Sequence, residues 1–132
     1  MTGSVLSAPF ARAAELLLPF GGEFTVNSDP SVSHPAIAMT ADGRFTVLWS
    51  GHRNVPGSEE YESSIDGRRF SALAEPTGSE FRLYETVDGH GGAPAVAYLA
   101  DGSSLAAWVG FPDSEVSVSH VYARTFDPTG EP

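Results

Sequence analysis

The chain states one pattern twice. Pro35-Ala36-Ile37-Ala38-Met39-Thr40-Ala41-Asp42-Gly43, followed by Trp49, returns as Pro94-Ala95-Val96-Ala97-Tyr98-Leu99-Ala100-Asp101-Gly102, followed by Trp108. Positions 35 and 94, 42 and 101, and 49 and 108 are each 59 residues apart. A fixed spacing of this kind means that one supersecondary unit is reused, and such units bury their faces against neighbouring units.

Period-2 alternation in and around the repeats makes the unit a β one. Glu23-Phe24-Thr25-Val26-Asn27 alternates apolar and polar, as a half-buried strand does. Pro35–Thr40 reads as a second strand, with Pro at its first position, where the missing N–H does least harm. Asp42-Gly43 and Asp101-Gly102 are hairpin signals, expected as type I′ turns. Arg44–Trp49 is apolar on both faces, so an interior strand is expected. Tyr61–Phe70 is a fourth strand, with a break expected at Asp66-Gly67. The second unit follows the same order: Glu80–Tyr84, Ala93–Leu99, Ser104–Val109 and Val116–Phe126. The expected organisation is an arm or short helix over 1–19, repeat 1 over 20–77 and repeat 2 over 78–132. Pro76-Thr77-Gly78 between the units recurs as Pro128-Thr129-Gly130, so the pattern reads as ready to continue.

The expected fold is all-β, with two four-stranded antiparallel units of the β-propeller-blade kind. With 132 residues the chain has room for one real core. Gly 14 and Pro 10 suit many short strands with turns. Gly21–Asn27, the Pro-Ala and Ala-Asp-Gly motifs with their Trp, and Arg124-Thr125-Phe126-Asp127-Pro128-Thr129-Gly130 resemble tandem repeats of large secreted bacterial proteins. Those proteins carry calcium-binding toxin-type or cadherin-like modules elsewhere. The resemblance covers residues 20–132 and implies a propeller-like array. It brings no catalytic residues with it.

Two blades do not close a ring, since propellers use roughly 4–8. A head-to-tail homo-oligomer is therefore expected, a trimer supplying six units or a tetramer eight. Packing of the two sheets as a sandwich, and the chain being a piece of a longer repeat array, are the competing outcomes.

Composition excludes several function classes. Seven basic and 17 acidic groups give a net charge of −10, which repels nucleic acid and anionic membrane surfaces. With no Cys there is no thiol catalysis, disulfide or thiolate metal site. No apolar run reaches the ~20 residues of a membrane span. Residues 8–20 make a poor signal peptide, interrupted by Glu15 and two prolines. An extracellular or cell-envelope location is expected, with the cytoplasm left open.

The candidate ligand-binding residues are Trp49, Arg53, Glu59, Tyr61, Trp108, Phe111, Asp113 and Glu115. They lie on or beside the loops that follow the Trp strands, and arginine, acids and aromatics suit sugar hydroxyls. Each has a plainer reading: the two Trp as packed core, the rest as solvated loop. No cofactor is expected. Calcium is conceivable, but no dense Asp motif supports it. His34, His52, His90 and His120 form no close ligand pair. His34 and His90 are expected in equivalent loops. Gly89-His90-Gly91-Gly92 lacks the nucleophile elbow that would make it an oxyanion loop. The leading expectation is a non-enzymatic module recognising a glycan or protein. The alternatives are a self-assembling structural protein and, least favoured, a hydrolase-like enzyme, because no nucleophile–base–acid set stands out.

Overall fold

The computed structural model describes residue 3 and residues 21–87, 89–111 and 118–132. The expected arm or helix over 1–19 and the candidates Asp113 and Glu115 lie outside the described residues.

The chain is all-β, as its period-2 patterning predicts. Among the described residues seven strands form two antiparallel sheets: β1 (Val32–Met39), β2 (Phe45–Asn54), β3 (Tyr61–Phe70) and β4 (Phe81–Val87) in the first, β5 (His90–Tyr98), β6 (Ser104–Phe111) and β7 (His120–Phe126) in the second. Sequential strands are neighbours throughout, so each sheet is a meander.

The expectation of two four-stranded sheets is corrected to sheets of four and three. Glu80–Tyr84, expected to open the second unit, instead closes the first sheet. Asp66 pairs with Arg82 and Gly67 with Phe81 along β3. The matching segment of the first unit, residues 23–27, has strand-like alternation but forms no ladder. Alternation makes a segment fit for a strand; a ladder also needs an edge to pair with. β3 runs unbroken through Asp66-Gly67, because that stretch is paired to β2 on one side and β4 on the other.

The repeat reaches down to backbone irregularities. β1 and β5 extend upstream of their prolines, which lie inside the strands at register shifts between Ser33 and Ala36 and between Gly92 and Ala95. His34 (φ 51) and Ala93 (φ 49) precede the prolines in the left-handed region. A bulge is one of the few strand sites that accept a residue with no N–H. The structural counterpart of His34 is thus Ala93. His90 lies further upstream, opposite Phe111, and both histidines are in strands rather than loops.

The Asp-Gly hairpins are not type I′. Gly43 N donates to Thr40 O at 3.0 Å and Thr40 N to Arg44 O at 2.8 Å. Gly43 (φ 88) is left-handed and Asp42 is not. This is a three-residue loop, a type I turn closed by a left-handed Gly. Leu99–Ser103 repeats it. So do Ser71–Glu75, with Ala74 (φ 62) in the left-handed place, and Asp127–Glu131, with Gly130 (φ 92). Asp127–Glu131 therefore corresponds to Ser71–Glu75. The likeness of Pro128-Thr129-Gly130 to Pro76-Thr77-Gly78 is one of letters, not of structural position.

The sheets pack face to face. Leu48 and Ile65 from β2 and β3, Leu83 from β4, Ala106 and Trp108 from β6 and Phe126 from β7 make one core. Full burial of side chains of this size contributes roughly 1.5–3 kcal/mol each. Thr46 Oγ1 and Tyr98 Oη, 2.6 Å apart, tie the sheets near the hairpin ends.

A cleft beside Trp49

Trp49 and Trp108 hold equivalent strand positions, and each is only 4% exposed. Trp108 lies in the core between the sheets, its ring centroid 6.2 Å from that of Tyr84 and 6.0 Å from that of Tyr122. Burial of this order favours the packed reading of Trp108.

Trp49 faces the other way, onto the side of the first sheet turned from the second. Residues 23–28 cross that side. Phe24 and Phe70 lie 5.6 Å apart, Arg68 Nη1 donates to Val26 O at 3.3 Å, and the Glu80 carboxylate accepts from Ser28 N at 2.7 Å and Ser28 Oγ at 3.2 Å.

Between this crossing segment and the sheet lies an open cleft of about 630 Å³, walled by Ser28, Asp29, Trp49, Arg53, Asp66 and Arg82, with Pro30, Glu80 and Phe81 at its margins. Ligand pockets commonly measure about 300–1,000 Å³. Its wall is a chain of ion pairs. Arg82 meets Asp66 at 2.8 Å, Glu62 at 3.0 Å and Glu85 at 2.6 Å, and Arg53 pairs with the same Glu62. Burial pulls the Arg82 guanidinium down, but hydrogen bonds and charge from Asp66 and Glu85 outweigh it, so its pKa lies above the ordinary arginine value. Arg82 is therefore a fixed cation.

Two of the eight candidate residues, Trp49 and Arg53, come together here. Tyr61 lies apart, its ring 6.1 Å from that of His52. Glu59 is exposed in the loop between β2 and β3. Phe111 stands with His90 at the far end of the second sheet, 6.4 Å away. Sequence reasoning missed Asp66 and Arg82, which come from the neighbouring strands β3 and β4. Asp66 is opposite Trp49 and Arg82 opposite Asp66, a register that no local motif announces.

The cleft marks where the two units differ. Phe24 contacts Phe70 at the end of β3; Phe81 contacts Phe126, 6.4 Å away, at the end of β7. Phe24-Thr25-Val26-Asn27 thus matches Phe81-Arg82-Leu83-Tyr84. Tyr84 covers Trp108. Its counterpart Asn27 is short and turns its amide to Asp29 O, while Trp49, as buried as Trp108, meets the cleft only as part of its wall.

Among the described residues, no three His, Asp or Glu side chains are grouped to hold a metal ion. Among the described residues there is no helix long and apolar enough to cross a membrane. No family model, no curated protein and no solved structure matches the chain.

Proposed function

We propose that the protein is a non-enzymatic binding module whose ligand site is the cleft beside Trp49. The observation that carries this reading is the cleft itself, in which Ser28 and Asp29 of the crossing segment stand with Arg53, Asp66 and Arg82 around about 630 Å³ of open space. Arg53, Asp66 and Arg82 in one cleft suit a polyhydroxylated ligand, because these charged groups offer donors and acceptors to hydroxyls. A glycan, or a short hydroxyl-rich protein segment, is the ligand class.

The test is a glycan array followed by titration calorimetry on the hits. Ser28→Trp places a large ring in the cleft from one of its own lining positions and is expected to abolish binding without loss of fold. Arg53→Ala is expected to weaken it about tenfold, the size of one lost charge-assisted hydrogen bond. Binding that survives Ser28→Trp unchanged would contradict the site.

A second reading, a propeller-type assembly whose partner is another copy, is favoured by a separate observation. Ile37 (62% exposed) and Met39 (61%) on the first sheet, and Val121 (77%) on the second, place exposed apolar side chains on both outer faces of the pair. Uncovered apolar faces of this kind mark association surfaces.

A further inference from the structure

We propose that residues 23–28 of one copy add as a fourth strand to β7 of a second copy, making the second sheet four-stranded and joining chains head to tail. The inference rests on the assembly reading above and goes beyond it by naming the strand, its acceptor and their register.

The argument begins with the internal repeat. β3 carries β4 on its outer edge. β7 is the counterpart of β3: Phe45 pairs with Phe70 as Ser104 does with Phe126, and Trp49 pairs with Asp66 as Trp108 does with Tyr122. Among the described residues nothing pairs with the outer edge of β7, and its Val121, Ala123, Arg124 and Thr125 are exposed. An open edge of this kind takes up added strands.

The strand that matches β4 is on the same chain but in the wrong place to reach its own β7. Residues 23–28 lie across the first sheet, on the face turned from the second, held by Phe70, Arg68 and Glu80. That location is informative. Phe81 belongs to a strand of the first sheet yet touches Phe126 of the second. By the same relation Phe24, which touches Phe70 of the first sheet, stands where the outermost strand of a preceding sheet belongs. A second copy that presented its β5-β6-β7 sheet to this face would find the missing strand in position. An apolar groove lined by Val26, Val32, Pro35, Val47 and Trp49 runs beside the segment to receive it.

Copying the β3–β4 ladder gives the register. Ile65–Tyr84, Asp66–Arg82 and Gly67–Phe81 become Val121–Asn27, Tyr122–Thr25 and Ala123–Phe24, with Val26 taking the bulge that Leu83 takes. Cross-strand partners have Cα atoms roughly 4.5–5.5 Å apart, within disulfide reach.

The chain has no Cys, so an introduced pair is unambiguous. The experiment mixes the single variants Asn27→Cys and Val121→Cys under mild oxidation. The proposal predicts a covalent heterodimer, formed at least tenfold faster than in a mixture of Glu23→Cys with Val121→Cys, which is out of register. In the Asn27→Cys/Val121→Cys double variant it predicts a ladder of linked chains on a non-reducing gel. An intrachain link alone would mean that the strand reaches its own β7 and would overturn the proposal. If wild-type protein is multimeric but the 27/121 pair does not link, strand addition fails while self-association stands. If wild-type protein is monomeric at all concentrations, both fail. A synthetic peptide of residues 21–29, added in excess to wild-type protein, is expected to cap β7 and dissociate the assembly. No effect of the peptide would count against strand addition, with no reliance on any variant folding.

Discussion

Four loops of one design differ at a single left-handed position, and this difference makes the most local prediction. Gly43, Gly102 and Gly130 take positive φ at that position, and Ala74 does so with a side chain. A left-handed L-residue costs roughly 1–2 kcal/mol, offset in part by the greater chain entropy of Gly. Ala74→Gly is therefore expected to raise stability by about 0.5–1 kcal/mol, and Gly102→Ala to lower it by about 1 kcal/mol, both read from urea midpoints. The carboxylates of the same loops predict the acid limb. A hydrogen bond from the Ser103 hydroxyl holds Asp101 below its ordinary 3.8, the Thr129 hydroxyl does so for Asp127, and the Thr40 hydroxyl for Asp42. A folded pKa below the unfolded one gives stabilisation that is complete above 3.8 and is lost as pH falls through the lowered values. Asp101→Asn and Asp127→Asn should each flatten the loss of stability below pH 3.8 in a denaturant–pH series. An acid limb unchanged in both variants would contradict the assignment.

At the scale of the strand, the two units show what can be exchanged. Tyr84 lies 6.2 Å from Trp108 and 5.6 Å from Tyr122, and burial raises its phenol pKa. Tyr84→Asn, which copies Asn27 into the second unit, removes a core ring and is expected to cost about 3 kcal/mol in urea unfolding. Gly110 is fixed by the same cluster: a Cβ there would sit 2.8 Å from the Tyr122 ring and 2.9 Å from the Tyr84 ring. Gly110→Ala is expected to cost about 1–3 kcal/mol by overpacking. Strand existence was legible because alternation is local: Ser104–Val109 and Tyr61–Phe70 read as strands and are strands. Sheet membership was not. Glu80–Tyr84 has the same signal whether it pairs forward or back, and its place is set by pairing with β3 and by packing of Phe81 against the core and Phe126, which are remote in sequence. The turn type was misread for a similar reason. Asp-Gly fits two loop geometries, and the hydrogen bond from Gly43 N to Thr40 O separates them.

At the scale of the molecule, the repeat and the sheets are out of step. The repeat is legible in the letters from Pro35 and Pro94 onward, yet the first sheet is closed by the segment that opens the second repeat, and among the described residues nothing closes the second sheet. This offset produces the cleft beside Trp49, the extended segment 23–28 on the first sheet and the open edge of β7 on the second. Of the candidate site, Trp49 and Arg53 were legible because they follow a repeated strand. Asp66 and Arg82 were not, because only strand register brings them alongside. The net charge of −10 on each copy opposes association, so the apolar contacts at Ile37, Met39 and Val121 have to outweigh it, and added salt is expected to favour assembly. Val121→Asp buries a carboxylate at the proposed junction and, with Val121 77% exposed in the single chain, is expected to leave the fold intact while lowering the native mass. Native mass across a concentration series tests the central claim, that the two sheets are consecutive units of a stack completed by other copies. Three or four times the 13.9 kDa of one chain is predicted. A folded 13.9 kDa monomer at every concentration would contradict it.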